Sequence, residues 1–225
     1  MKREILKNAG LLNENYETVE AVYRQGLKDP SQKNFDKLMK IDKKGYYIYR
    51  AGDDWKQFDF KKGLDKLMEI SKDGYYIYHA GNDWKQFDFK KGFDKLLEVD
   101  KKGYDIYRAG DDWKQFDYKK GLDKLMEISK DGKYIYLAGN DWKQFDYKKG
   151  FDKLLEVDKK GIYIYYAGND WKHFDHKKGL KKLSELSDKD YYKFALKNWP
   201  KSATEKLKQV EKQDEVKIPT KRKKL

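Results

Sequence analysis

The chain has 225 residues, 38% hydrophobic and 40% charged, with 52 Lys and Arg against 39 Asp and Glu for a formal net charge of +13. Six Trp, 19 Tyr and 11 Phe supply apolar area for a core and exclude a chain that is disordered throughout. The absence of cysteine excludes a disulfide framework, a thiol nucleophile and a thiolate metal site, and the apolar runs are too short for a transmembrane helix.

Residues 1–34 read as an N-terminal helical cap of two short helices, about Lys2–Asn8 and Glu14–Leu27, with breaks at Ala9-Gly10 and Asp29-Pro30. The first twelve residues lack the apolar centre of a secretory signal, so the expected location is intracellular and cytoplasmic.

From Phe35 to Gly179 the chain is a tandem repeat. Gly45, Gly74, Gly103, Gly132 and Gly161 recur every 29 residues, and so do Trp55, Trp84, Trp113, Trp142 and Trp171. Alternate units match best: two begin LDKLMEISKDG and two begin FDKLLEVDKKG, so the array reads as a duplicated 58-residue pair.

Within a unit, Tyr46–Arg50 (YYIYR) is aromatic and β-branched and follows a glycine, which predicts a strand. Gly52-Asp53, or Gly81-Asn82, predicts a turn into a short second strand at Trp55–Phe58. Phe60, Leu64, Leu67 and Met68 then follow helical spacing, with Asp59 as N-cap and Gly74 past the end. A single long helix starting at Trp55 is disfavoured, because Trp55 and Phe58 would face away from Phe60, Leu64 and Leu67, with Gly63 in its middle. The expected fold class is therefore α+β: tandem ββα repeats, alternatively βα, in an elongated or curved solenoid-like array with helical caps.

Residues 180–212 read as a sixth partial repeat and C-terminal cap. They comprise a helix copy at Leu180–Leu186, a degraded strand or helix at Asp190–Trp199, and a last helix capped by Ser202 with Glu205. Residues 213–225 read as a basic flexible tail.

Charge is unevenly placed. Residues 180–225 carry +7 and the five units together only +5. The pairs Lys61/Lys62, Lys90/Lys91, Lys119/Lys120, Lys148/Lys149 and Lys177/Lys178 recur, and helices stacked in register would align them. With Lys217, Lys221, Arg222, Lys223 and Lys224 they are the candidate phosphate contacts of a nucleic-acid reading.

Variation between units concentrates at two positions: Tyr46, Tyr75, Tyr104, Lys133, Ile162 and Arg50, His79, Arg108, Leu137, Tyr166. On the predicted strand these share a face with Ile48, and they are the candidate partner-binding residues. Trp55 and its counterparts are expected to fill space between units.

No phosphate-binding glycine loop, nucleophile elbow or HExxH motif is present. His173 and His176, near Asp170 and Asp175, stand where other units carry Gln and Phe or Tyr, and read as drift rather than a metal site. The Asp53/Asp54 pair lacks the spaced oxygens of a calcium loop and reads as turn and cap chemistry. The expected function is a non-enzymatic repeat scaffold, without cofactor or metal, that presents a multivalent surface to a protein or polymer partner. Alternatives are a nucleic-acid-binding protein and a self-associating structural subunit of a viral particle or filament.

Overall fold

A computed structural model describes residues 18–204. The predicted Lys2–Asn8 helix, Glu205 and the basic tail lie outside the described residues.

The helices are α1 (Val19–Lys28), α2 (Gln32–Ile41), α3 (Tyr46–Asp54), α4 (Phe60–Ile70), α5 (Tyr75–Asp83), α6 (Phe89–Val99), α7 (Tyr104–Asp112), α8 (Tyr118–Ile128), α9 (Lys133–Asp141), α10 (Tyr147–Val157), α11 (Ile162–Asp170), α12 (His176–Glu185) and α13 (Asp190–Asn198). Among the described residues there is no strand, which overturns both the ββα and the βα reading. Each 29-residue period is a helix pair: a nine-residue first helix starting after the repeated glycine, and a second helix of ten or eleven residues starting after the N-cap aspartate.

The YYIYRAGDD segment is helical because its buried residues follow helical, not alternating, spacing. Ile48, Ala51, Gly52 and Trp55 lie at i, i+3, i+4 and i+7 and are all buried, which places Ile48 opposite the exposed Tyr46 rather than beside it. Aromatic and β-branched composition is a weak prior that packing of this stripe overrides. Gly52-Asp53 accordingly lies inside the last turn of α3 and forms no hairpin. The second helix occurs where the spacing places it. Asp59 accepts a hydrogen bond from the Lys62 amide, and its counterparts at Asp88, Asp117, Asp146 and Asp175 do the same. The expected sixth copy is α12, and the Asp190–Trp199 segment is helix rather than strand. Residues 201–204 are helical, and the Pro200 carbonyl accepts the Ala203 amide, so Ser202 lies inside that turn rather than capping it.

Two turn chemistries alternate between the helices. Asp42 is almost fully buried; its Oδ1 accepts the Lys44 and Gly45 amides, and its Oδ2 those of Tyr47 and Ile48, at 2.9–3.0 Å. Asp158 binds Lys160, Gly161, Tyr163 and Ile164 in the same way. In the alternate units Ser71 accepts only Gly74 N–H, and Asp73 accepts Tyr75 N–H. The 58-residue alternation in the sequence is therefore an alternation of how the first helix is started. In both versions the repeated glycine adopts φ of 77–87°, a left-handed conformation that other residues rarely take.

The helices group into two compact units. One comprises the described residues up to Lys101 with Asp112–Phe116; the other comprises Lys102–Asp111 with the described residues from Asp117 onward. In the first unit, α3 packs on α1, α2, α4 and α5 around Val22, Leu38, Ile48, Ala51, Leu67 and Ile77. In the second, α9 packs on α8, α10 and α11, and α11 on α12 and α13, with Ile135, Leu154, Ile164, Leu180 and Leu183 fully or almost fully buried.

Candidate partner-binding face

Repeats are joined by a plug and a socket. The first helix of one repeat offers a tyrosine and, three residues later, a helical glycine; the first helix of the next repeat delivers an aspartate followed by a tryptophan. In the first unit Trp84 lies against Gly52, where an added Cβ would collide with the indole, and its Nε1 donates to the Tyr49 carbonyl at 2.9 Å. The Tyr49 hydroxyl donates to Asp83 at 2.5 Å. Tyr78 and Gly81 receive Asp112 and Trp113 in the same way, with the Trp113 indole 3.0 Å from the Tyr78 carbonyl. The second unit repeats the arrangement with Tyr107/Gly110 holding Asp141/Trp142 and Tyr136/Gly139 holding Asp170/Trp171.

The ends of the ladder reuse half of the code. In α1, Tyr23 and Gly26 form a socket for Asp54 and Trp55; at the other end, Asn198 and Trp199 plug into Tyr165 and Gly168. The position in the α1 segment that aligns with Trp55 holds Asp29, and the position in α13 that aligns with Gly52 holds Leu196.

This ladder sets which residues face outward. Tyr46 and Arg50, and Tyr75 and His79, lie four apart on α3 and α5, so each pair shares a helix face. Tyr46, Tyr75, Tyr104 and Tyr166 are 41–46% exposed, and Phe194 is 50% exposed, values that mark these rings as surface rather than core. In the first unit the face is a connected aromatic sheet: Tyr46 lies 6.2 Å from Tyr76, Tyr76 stacks on Tyr49 at 6.0 Å, and Tyr75 lies 4.4 Å from His79. Arg50 is half-buried, tied by Nε and Nη2 to Asp54 at 3.0 and 2.8 Å.

In the second unit the same positions are Tyr104/Arg108, Lys133/Leu137 and Ile162/Tyr166. Lys133 and Tyr166 are exposed, while Arg108, Leu137 and Ile162 are half-buried. Tyr166 joins Tyr136 at 6.0 Å, Lys133 sits over Tyr134, and Phe194 reaches Tyr165 and Tyr191. Each first helix therefore places its own two candidate partner-binding residues, four positions apart, on one face.

The lysine pairs are exposed, and among the described residues one lysine of each pair has a carboxylate within ion-pair distance while the other has none. Lys91 Nζ lies 3.4 Å from Asp65, Lys149 3.4 Å from Asp123, and Lys178 3.8 Å from Asp152, so a carboxylate of the preceding repeat stands beside the second lysine. Lys62 Nζ instead meets its own N-cap, Asp59, at 3.7 Å. In the pair Lys119/Lys120 the first lysine takes the carboxylate: Lys119 Nζ is 3.0 Å from Asp123, while the exposed Lys120 is held through its backbone, its amide donating to Asp117 Oδ1 at 3.0 Å. Lys61, Lys90, Lys148 and Lys177 are exposed at the starts of their helices.

The two candidate histidines serve different contacts. His176 Nε2 is 2.8 Å from the Gly168 carbonyl, the place taken in the preceding repeat by the Tyr147 hydroxyl on Gly139, while His173 packs on Tyr147. Among the described residues no three His, Asp or Glu side chains are grouped to hold a metal ion, and no helix is long and apolar enough to cross a membrane.

Comparison with protein-family models, with curated proteins and with solved structures finds no match.

Burial, reinforced by the neighbouring carboxylate, pushes the Tyr23 and Tyr136 phenols up to about 12, and Tyr49 and Tyr107 are raised for the same reasons. The folded-state values lie above the ordinary value near 10, so the stabilisation belongs to the protonated phenols. It is fully present below about pH 10 and is lost as the pH rises through about 12. Absorbance of tyrosinate at 295 nm is therefore expected to rise in two stages: exposed rings first, then the ladder rings together with loss of helical circular dichroism. Ionisation of all the tyrosines in one broad step, with helicity retained, would contradict the ladder.

Proposed function

We propose that the protein is a non-enzymatic tandem-repeat scaffold whose first-helix face binds a protein partner. The observation that carries this reading is the exposure of tyrosine rings at the first-helix positions where the repeats differ, Tyr46 and Tyr75 in the first unit and Tyr104 and Tyr166 in the second. Tyrosine and arginine anchor protein interfaces more often than other surface residues, and contiguous exposed aromatic surface on a folded chain marks an interaction site. Repetition of one helix pair gives several such patches that differ in chemistry: Tyr46, Arg50, Tyr75 and His79 in the first unit, and Tyr104, Arg108, Lys133, Leu137, Ile162 and Tyr166 in the second.

The test is affinity capture from the native host with the wild-type chain, a Tyr46→Ser/Tyr75→Ser/His79→Ser variant, and a control with Glu69→Ser and Glu98→Ser on the second helices. A partner retained by the wild type and the control but lost from the face variant, at unchanged thermal midpoint, is the expected result. Equal capture by all three would overturn the reading.

The nucleic-acid alternative rests on the lysine pairs and the tail; an aspartate beside one lysine of each pair halves the positive charge that the pairs can offer to phosphates. Leu196, at the place where a further socket needs glycine, weighs only against a filament built by extending this ladder past α13.

A further inference from the structure

We propose that the loop edge of the first unit is a docking groove for an acidic, extended polypeptide segment, separate from the tyrosine face. A groove of about 690 Å³ runs over the N-terminal ends of α4 and α6, floored by Phe60, Leu64, Trp84, Phe87 and Phe89. A second groove of about 630 Å³, bounded by Pro30, Phe35 and Phe58, shares Phe60, Lys61 and Gln86 with it. Shared walls make the two one continuous channel, longer than a small molecule requires.

Charge on the rim is unbalanced. Lys56, Lys61, Lys85, Lys90 and Lys114 line the channel, and among the described residues none has a carboxylate within ion-pair distance. The channel's own carboxylates are engaged elsewhere: Asp65 by Lys91, Asp59 and Asp88 by backbone amides of the second helices, and Asp112 by the Tyr78 hydroxyl. The local field therefore favours a partner that brings negative charge.

Gln57, Gln86 and Gln115, one per repeat, also line the channel; all three are exposed, and among the described residues their side-chain amides make no hydrogen bond. A carboxamide both donates and accepts, so it can pair with the N–H and C=O of an extended main chain whatever its side chains. A single-stranded nucleic acid would need open ring faces to stack its bases. Here Trp84 is buried and meets Phe58 and Phe60 edge-on at 5.2 and 5.7 Å, so its indole offers no open face to a base.

The experiment is fluorescence anisotropy with the full-length protein and three labelled probes: a fifteen-residue alternating Glu/Leu peptide, the same peptide with Lys for Glu, and a fifteen-nucleotide oligothymidylate. The acidic peptide is expected to bind saturably, with affinity that falls as salt is raised. A Lys61→Ala/Lys85→Ala/Lys90→Ala variant is expected to weaken it at least tenfold, and Gln86→Ala/Gln115→Ala to weaken it several-fold. These side chains are exposed, so thermal midpoints should be unchanged. The Tyr46→Ser/Tyr75→Ser/His79→Ser variant is expected to bind the peptide like the wild type, so failure of the tyrosine-face reading leaves this result standing. Three outcomes would each overturn the proposal: binding that survives the lysine substitutions, binding that instead disappears when Lys221, Arg222, Lys223 and Lys224 are changed to Gln in the full chain, or oligothymidylate bound as tightly as the acidic peptide.

Discussion

Replacing Trp84 with alanine is expected to destabilise the first unit by about 3–5 kcal/mol, the usual cost of deleting a buried large aromatic side chain. The indole is 5% exposed, fills the space above Gly52, touches Phe58 and Phe60, and donates to the Tyr49 carbonyl, so its loss opens a cavity and leaves that carbonyl without its indole donor. Urea unfolding followed by circular dichroism would measure it. The partner substitution makes the test sharper. Gly52→Ala should destabilise the wild-type chain by about 1–3 kcal/mol, because its Cβ has no room beside a rigid buried indole. In a Trp84→Leu background the same change should become neutral or stabilising by up to about 1 kcal/mol, since alanine is the better helix former once the ring is gone. A double-mutant cycle with no coupling between positions 52 and 84 would refute the plug-and-socket account.

Asp158→Ala is expected to cost about 3 kcal/mol. One carboxylate there satisfies four backbone N–H groups at the start of α11, and its removal leaves amides in a buried turn without acceptors. Burial pushes the Asp158 carboxyl above the usual carboxylate range, and the four backbone hydrogen bonds offset part of that rise. Asp158→Ser should lose about half as much, because Ser71 and Ser129 show that a hydroxyl at this position still holds the glycine amide, at 3.1 and 2.9 Å. Equal losses for the two variants in urea unfolding would mean that the carboxylate's extra hydrogen bonds contribute nothing.

The second helix of each repeat is legible in the amino-acid sequence alone. Asp59, the spacing of Phe60, Leu64 and Leu67, and the glycine beyond the end are local signals, complete within a dozen or so residues. The first helix is not. Its aromatic, β-branched run and its Gly-Asp pair carry strand and turn signals locally, yet Gly52 is present for a reason that lies 32 residues away, the approach of Trp84. A similar separation hides the Tyr49–Asp83 bond. One sequence signal does point to it: the α1 segment has Tyr23 and Gly26 but Asp29 where the repeats carry tryptophan, and the α13 segment has Asn198 and Trp199 but Leu196 where glycine would stand. Each of these two segments retains the half of the code that the adjoining described repeat uses.

The candidate face divides in the same way. Its residues stand out by their variation between units, which needs only the repeat alignment. That Tyr46 and Arg50 share a face free of Ile48 follows from the helix, since positions four apart align on a helix while positions two apart align on a strand. For the lysine pairs the recurrence is plain in the sequence, but which lysine of a pair meets an aspartate, as Lys91, Lys119, Lys149 and Lys178 do, is set by packing between repeats and by local geometry. The groove of lysines and glutamines is invisible in sequence, because an exposed lysine without a carboxylate partner is recognised only when its neighbours in space are known. By itself, then, the sequence determined the period, the near-neutral charge of the repeats and the second helices, all of which are local or compositional. Tertiary structure decided the first helices, the pairing of repeats and the lining of the groove, because those depend on contacts between residues some thirty positions apart.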